Sequence, residues 1–438
     1  MIKKGGSGRK FILHAAENVS AVLFGLASAS MIARVFGPEN LGRLSLVQAV
    51  SMIFVAFATL GFDHFVMRDF SANRKDGELK SSILVTQSFG WFIYLLCVAS
   101  VFFVQEKLQS ELFLIISVVI STYFLRVLFF KIFFQAINEP QILAVSAVVS
   151  RLVALIFLVA GSVNHFKYEL MVCYLPLQAI IQAIILYGAY RKTSTTDEKS
   201  KFSAKRAINL LKESSPVLLS SFLYFGYSQA DILIISHFLT NHEVGIYSAA
   251  MRLVPQAIFL GHITVLTFYN QLRVHDEKDA NLFIEYAINL ARIQFLIAFT
   301  LALTVSLLAP FVVWILYGSK FEESSVILSI GVWSWLFTIP ACLYSRLLVL
   351  KKLARFELIK VALVAPVSLV LNFLLIPKYG VVSAAVVSVI AYAVIDFLIY
   401  ALFRDTRFIF KIGIEAMKSL IKSPIASTRE SMKLFRTK

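Results

Sequence analysis

Residues 287–317 have the sequence AINLARIQFLIAFTLALTVSLLAPFVVWILY, in which Arg292 is the only charged residue. A run of about 20 apolar residues is long enough for an α-helix to cross the hydrocarbon core of a membrane. Lipid offers the backbone no hydrogen-bond partners, so a spanning chain must form helices or a closed barrel. Barrel strands need only about 10 residues of alternating polarity. This longer, continuous stretch therefore predicts a membrane-spanning helix.

Comparable apolar runs recur along the whole chain of 438 residues. Hydrophobic residues make up 58% of it, charged residues only 16%, and the mean hydropathy is +0.78. These values predict an all-α integral membrane protein with about twelve transmembrane helices. The predicted spans are residues 11–35, 41–67, 81–104, 110–134, 141–162, 168–190, 215–239, 244–271, 287–317, 324–350, 356–376 and 380–403.

The placement of Lys and Arg predicts the orientation. Successive connections between the predicted spans alternate between the two sides of the membrane. Most Lys and Arg residues of the connections fall on the side that also holds both termini, and Lys131 and Lys360 are counted on that side. Cytoplasmic loops carry an excess of positive charge, so both termini are expected to be cytoplasmic. The basic start followed by an apolar run also fits a signal peptide. We interpret it instead as a retained first span, because the run continues to about Val35 and contains Glu17.

The longest predicted connection suggests the domain organisation. Residues 191–213 are charged and rich in Ser, Thr and Lys. We expect an N-terminal six-helix bundle at 11–190 and a C-terminal one at 214–404, arranged around a central cavity. Residues 1–10 are then the cytoplasmic N-terminus. Residues 405–438 form a basic amphipathic tail, either a helix on the anionic inner leaflet or a disordered end.

The two predicted halves share a short pattern at the end of their first spans. Residues 36–45 and 238–248 each contain a Phe, a polar turn, an aliphatic residue, a Gly and, three residues later, a Ser. Because the pattern stands at the same place in both predicted halves, it favours a duplicated six-helix unit.

Several motifs of enzymes and metal sites are absent from the sequence. It contains no G-x-x-x-x-G-K-[ST] loop and no H-E-x-x-H, and its three cysteines stand alone in apolar runs. No predicted outside loop exceeds about ten residues, which disfavours an enzyme acting on lipid-linked sugars. The net charge of +16 follows the membrane topology, so a nucleic-acid partner is not expected. A transporter without a metal site or cofactor is predicted, and coupling to a proton or sodium gradient stays open.

Arg292, Arg346 and Asp63 lie close enough to the ends of their predicted spans to reach the interface. Six other ionisable residues are placed deep within the predicted spans, where each costs roughly 2.5–3.5 kcal/mol at the bilayer centre. Such groups must face each other or a wet cavity, either as transport residues or as an ion-pair network that fixes packing. Arginine offers planar, bidentate donors, which suit phosphate. The six residues are Glu17, Arg126, Arg151, Asp231, Arg252 and Asp396.

Three stretches of the sequence carry a family resemblance. They are ARVFGPENLG at 33–42, QAD at 229–231 with VGIYSAAMRL at 244–253, and LNFLLIPKYG at 371–380. In this order they resemble the polysaccharide-unit flippases, the O-antigen translocase branch of the multidrug/oligosaccharidyl-lipid/polysaccharide exporter superfamily.

The resemblance implies a flippase that moves polyprenyl-diphosphate-linked oligosaccharide units, precursors of O-antigen or capsule, to the outer leaflet by alternating access. It implies a bacterial inner-membrane location, with membrane lipids, a glycan polymerase and a chain-length regulator as partners. Combined with the buried charges, it predicts a substrate-binding set of Arg126, Arg151, Arg252, Glu17 and Asn18. Asp231, Asp396 and Glu17 are expected to balance charge or couple transport to an ion.

Three alternatives stay open at this point. A cation-coupled antiporter for drugs or organic cations shares the superfamily and the fold. A lipid II flippase is also close, although such proteins often have two additional helices. A membrane-embedded glycan polymerase or ligase is the enzyme alternative, disfavoured by the short outside loops.

Overall fold

The computed structural model describes residues 7–62, 77–104, 109–128, 130–193 and 202–422. Parts of five predicted segments lie outside these ranges. They are residues 1–6 of the predicted cytoplasmic N-terminus, 63–67 of the predicted span 41–67, 129 of the predicted span 110–134, 194–201 of the predicted linker and 423–438 of the predicted tail.

Two compact units make up the structure, Met1–Ser236 and His237–Lys438. The helices of the first unit vary from five to 53 residues, and a five-residue π-helical segment, Tyr123–Val127, lies between α3 and α4. They are α1 (Ser7–Thr59), α2 (Gly77–Val104), α3 (Leu112–Thr122), α4 (Phe130–Ala136), α5 (Pro140–Val163), α6 (Tyr168–Val172), α7 (Tyr174–Thr193) and α8 (Ala204–Phe238), whose last two residues fall in the second unit.

The second unit has a similar helical content, with short 3₁₀ turns where several helices are interrupted. Its helices are α9 (Asn241–Met251), α10 (Ile258–Lys278), α11 (Ala280–Tyr317), α12 (Ser324–Gly331), α13 (Trp335–Leu350), α14 (Phe356–Tyr379), α15 (Val381–Asp396) and α16 (Arg407–Lys422).

Within the described residues, eleven helical stretches are long and apolar enough to cross a membrane. This confirms an all-α, multi-pass membrane protein. The predicted span at 11–35 and residues 41–59 of the predicted span at 41–67 fall on one bent helix, α1, in which Gly37 alone leaves the helical backbone region. The structure therefore joins two of the twelve predicted spans into one helix.

The bend in α1 is followed by polar contacts of its second arm. Gly37 adopts φ 79° and ψ −177°, a conformation that only glycine reaches at low cost. Beyond the bend, Arg43 pairs with Glu39 at 2.8 Å and with Glu111 at 3.4 Å, and Tyr168 donates to the Asn40 carbonyl at 2.9 Å. Burial raises the pKa of the Glu111 carboxyl, and the charge of Arg43 opposes that rise.

Helix α8 begins earlier than the sequence predicts. It starts at Ala204 and so includes the second half of the predicted linker, 191–213. Ala207, Leu210 and Ser214 are buried while Lys205 is exposed. This spacing gives the first turns of α8 one packed face and one charged face. The predicted division into six and six helices stays a prediction.

The tail forms helix α16, which packs on the second unit. Ile409, Ile412 and Ala416 on one face are buried in a core that includes residues of α10, α11, α13 and α15. Arg292 of α11 donates to Ser419 Oγ at 2.7 Å. The opposite face is basic and exposed; it carries Arg407, Lys411, Lys418 and Lys422. The apolar face of the tail helix is thus covered by protein.

Candidate functional site

Three charged side chains meet inside the first unit, on helices α1, α4 and α5. Glu17 pairs with Lys131, with 3.3 Å between Oε1 and Nζ. The guanidinium of Arg151 donates through Nη1 to the Glu17 carbonyl at 2.8 Å and to Ser20 Oγ at 2.5 Å. Lys131 thus pairs with the Glu17 carboxylate, while Arg151 binds the backbone carbonyl of the same residue. Because the two cations outnumber the one carboxylate, we call Glu17, Lys131 and Arg151 the cationic cluster.

An interruption of the helix between α3 and α4 positions Lys131. The π-helical segment Tyr123–Val127 is followed by Leu128 in an extended conformation, with φ −69° and ψ 122°. The chain re-enters a helix at Phe130, which places Lys131 in the first turn of α4. Single π-helical turns inside spanning helices are rare and are found frequently at functional sites.

The cationic cluster has an excess of positive charge and of hydrogen-bond donors. The Glu17 side chain is 12% exposed, whereas the Lys131 side chain is 39% exposed. Arg151 is half-buried, and its contacts with the described residues use only Nη1. The Nε and Nη2 groups of Arg151 and part of the Lys131 ammonium are therefore available to an anion.

The other predicted residues of the first unit lie apart from these contacts. Asn18 is exposed on α1, and Arg126 is exposed in the π-helical segment. Neither makes a hydrogen bond or an ion pair with the residues described. Asp231 is half-buried on α8. Glu17 and Arg151 are thus the two predicted residues that the structure brings together here.

Arg252 lies in the second unit, at the point where α9 ends. It is half-buried and close enough to Tyr317 for an electrostatic interaction. A 3₁₀ turn at Val254–Ala257 follows it and contains Pro255, a residue that breaks helices because it lacks an amide hydrogen. Gln256 donates to the Arg252 carbonyl at 3.0 Å.

Asp396 is held by a lysine of the neighbouring helix. Lys360 Nζ lies 3.1 Å from Asp396 Oδ1, 2.9 Å from Glu357 Oε2 and 3.2 Å from the Tyr400 hydroxyl. The Lys360 and Asp396 side chains are 7% and 13% exposed. Among the described residues, Asp396 therefore balances a lysine and not one of the predicted arginines.

Lys131 and Lys360 are functional-site candidates that the sequence alone did not identify. The sequence places both with the cytoplasmic connections, yet both fall within helices apolar enough to span a membrane. Lys131 stands in an uninterrupted run of phenylalanines and isoleucine, and Lys360 follows Glu357 at helical i, i+3 spacing. These local patterns are the signals that could have identified them.

The basic residues of this site are suited to binding anions. In the described part of the chain, no group of three or more His, Cys, Asp or Glu residues could hold a metal ion. The cationic cluster offers guanidinium and ammonium donors within an apolar bundle, where charge-assisted hydrogen bonds are strong.

Comparison with known proteins gives one family and one curated relative. The sequence model described as "Polysaccharide biosynthesis protein" matches residues 7–266. The relative is the probable low-salt glycan biosynthesis flippase Agl15 of Haloferax volcanii, 27% identical over 216 residues. That alignment covers 48% of this chain and 44% of the relative, so the chain matches less than half of that protein's length.

Two solved structures share the fold over most of the chain. The lipid II flippase MurJ in an inward closed conformation has a TM-score of 0.68 at 15% identity, covering 95% of this chain and 93% of its own. An inward-facing multidrug resistance MATE family transporter has a TM-score of 0.65 at 14% identity, covering 92% and 95%. At these identities the likeness establishes the fold alone.

Proposed function

The chain belongs to the polysaccharide biosynthesis protein family, and we propose that it is a flippase for lipid-linked oligosaccharides. Its cargo is an oligosaccharide unit joined through diphosphate to a polyprenol, a precursor of O-antigen or capsule. It moves this cargo from the cytoplasmic to the outer leaflet of the bacterial inner membrane, with both termini cytoplasmic. The observation that supports this most directly is the cationic cluster, Glu17, Lys131 and Arg151.

The cluster suits the charged part of such a cargo. A diphosphate carries negative charge and several acceptor oxygens, and a guanidinium can bind two of them at once. In the proposal, the diphosphate accepts hydrogen bonds from Nε and Nη2 of Arg151, and it replaces Glu17 as the partner of Lys131. Arg126, exposed five residues before Lys131, attracts the cargo, and Asn18 next to Glu17 supplies an uncharged contact. Arg252 attracts the cargo in the second unit, as Arg126 does in the first.

When the cargo takes the place of Glu17 beside Lys131, the Glu17 carboxylate loses its cation. An ionised carboxylate without a cation is costly in a medium of low dielectric constant, and protonation removes that cost. We propose that Glu17, together with Asp231 and Asp396, balances charge during alternating access and couples it to a proton or sodium gradient. A glycan polymerase and a chain-length regulator are proposed partners.

The antiporter alternative rests on the fold shared with a MATE family transporter. The sign of the charge in the cluster disfavours it, since a pocket for organic cations needs an excess of acid. The similar proteins described above are named as flippases and transporters, which gives the polymerase or ligase alternative no support.

Complementation tests the proposal. The gene is expressed in a bacterium that lacks its own O-antigen or capsule flippase, and surface polymer is measured by gel and lectin blot. We expect wild type to restore the polymer and Arg151→Ala to lower it at least about tenfold, the loss expected from one charged hydrogen-bonding group. Arg273→Ala is the control, because Arg273 is exposed and paired with Glu277 on its own helix. Polymer at wild-type level with Arg151→Ala, at equal membrane abundance, would refute the assigned role.

A further inference from the structure

Gln87 is a fully buried amide without a partner. Its residue exposure is 0%, and neither Nε2 nor Oε1 has a hydrogen-bond partner among the residues described. One turn further along α2, the buried Nε1 of Trp91 also has none. The great majority of buried polar groups are hydrogen-bonded, so three neighbouring exceptions require an explanation.

Trp91, on the face of α2 that carries these groups, contacts the π-helical segment. Gln87, Trp91 and Tyr94 follow one another at i, i+4 and i+7 and so share a helix face. The Trp91 ring lies 5.0 Å from the Tyr123 ring, the first residue of that segment. The Tyr94 hydroxyl and Ser51 Oγ are 2.7 Å apart. The polar group of Tyr94 is therefore satisfied, whereas those of Gln87 and Trp91 are not.

The π-helical segment is the weak part of this contact. A π-helix is rare, occurs mostly as a single turn inserted in an α-helix and is frequent at functional sites. This one spans Tyr123–Val127 and is closed by a 3.3 Å bond from the Leu128 amide to the Tyr123 carbonyl. The extended backbone at Leu128 then ends the helical ladder. A shift of this segment away from α2 would remove the ring contact of Tyr123 with Trp91, which lies one turn from Gln87 on the same face of α2.

We propose that Gln87 and Trp91 are glycan contacts, which hydrogen-bond to sugar hydroxyls when the π-helical segment moves away from α2. This inference rests on the proposed flippase function. The amide of Gln87 supplies a donor and an acceptor, and Trp91 supplies a donor and an aromatic face. All are uncharged, as suits hydroxyl groups, while the diphosphate of the cargo is bound by the cationic cluster.

The first test compares stability and transport in Gln87→Leu. Removing an unpaired buried amide removes its desolvation penalty, so we expect the Tm in detergent to stay at or above the wild-type value. Surface polymer in the complementation assay should fall at least about threefold. Gln294→Leu is the matched control, because Gln294 is also 0% exposed but donates to Thr264 Oγ1 at 2.9 Å and to the Gly261 carbonyl at 3.2 Å. Its Tm should drop.

The second test separates the glycan from its carrier. Binding of polyprenyl diphosphate, with and without the host's oligosaccharide unit, is measured on the purified full chain. Gln87→Leu and Trp91→Phe should each weaken binding of the glycan-bearing lipid about fivefold to tenfold, the loss of one neutral hydrogen bond. Binding of the sugar-free lipid should not change. Arg151→Ala should weaken both.

Two results would overturn the inference. One is a fall in Tm for Gln87→Leu as large as that of Gln294→Leu, which would make Gln87 a structural amide. The other is equal weakening, or no weakening, of both lipids by Gln87→Leu and Trp91→Phe. If wild type binds neither lipid, the proposed flippase function itself has failed, and the inference falls with it.

Discussion

Glu17 and Asp396 are carboxylates held by lysines within apolar helices, and their surroundings differ. Glu17 pairs with Lys131, whose side chain is 39% exposed. Asp396 pairs with Lys360, which is 7% exposed and also contacts Glu357 at 2.9 Å. A pair with an exposed cation can exchange partners at low cost, whereas a buried pair mainly fixes its helices. The cluster at Glu17 therefore suits cargo binding better than the one at Asp396.

The buried pair should respond unequally to the removal of each partner. Lys360→Met leaves Asp396 buried without its cation, and we expect the free energy of unfolding to fall by about 3–5 kcal/mol. Asp396→Asn should cost less, because Lys360 keeps Glu357. Thermal unfolding in detergent measures both. Arg273→Met, at an exposed pair, is the control and should change stability by about 1 kcal/mol or less. A larger destabilisation by Asp396→Asn than by Lys360→Met would contradict this account.

At the scale of an element, Gly37 explains why two predicted spans form one bent helix. The sequence Phe36-Gly37-Pro38 breaks the apolar run, which is why separate helices are predicted there. Pro38 is tolerated because it stands at the start of the second arm, where its missing amide hydrogen is not needed. The local sequence thus predicts a break but does not show that the helix continues on both sides of it.

The bend in α1 can be tested by two glycine substitutions on the same helix. Gly37→Ala should destabilise the protein by about 1–3 kcal/mol, because a Cβ is strained at φ 79° and ψ −177°. Gly25→Ala should stabilise it by about 0.5–1 kcal/mol, because Gly25 is helical and a Cβ there meets nothing within 4 Å. Both are measured as changes in thermal unfolding. Equal effects of the two substitutions would show that the Gly37 conformation is not required.

Helix α16 packs closely through Gly413. A Cβ at this position would lie 2.5 Å from the Phe397 ring and 2.6 Å from the Tyr344 hydroxyl. Gly413→Leu should therefore detach the tail helix, with at least about tenfold faster amide hydrogen exchange across Arg407–Lys422. Glu415→Ala, on the exposed face, is the control. Unchanged exchange in Gly413→Leu would show that the tail is held without this close packing.

For the whole molecule, the sequence predicted the fold class well and the contacts of the site only partly. Apolar runs report helices directly, so the helical stretches match ten of the twelve predicted spans one to one, and α1 takes in the other two. Glu17 and Arg151 could be identified as buried charges, because lipid makes isolated charges costly. Lys131 is recognisable as a lysine in an apolar run, but its pairing with Glu17 could not be predicted, since its position depends on the π-helical segment and the extended Leu128. A five-residue irregularity of this kind leaves no periodic signal in the sequence.

The two halves also show why a sequence repeat does not predict equivalent turns. The junction at Gly37 depends on a positive φ. The junction at Thr240 is instead a capping box, in which Thr240 and Glu243 bond to each other's backbone amides. Similar sequence patterns thus end helices by different means, and a common origin of the halves stays a prediction.

The central claim is that the cationic cluster binds the diphosphate of a lipid-linked oligosaccharide during flipping. The most direct measurement is flipping of a fluorescent polyprenyl-diphosphate oligosaccharide in proteoliposomes with the wild type, Lys131→Ala/Arg151→Ala and Arg273→Ala. We expect flipping by the wild type and Arg273→Ala, and a rate at least about a hundredfold lower for the double variant, about tenfold for each cationic side chain removed. Wild-type flipping by a correctly folded double variant would contradict the account.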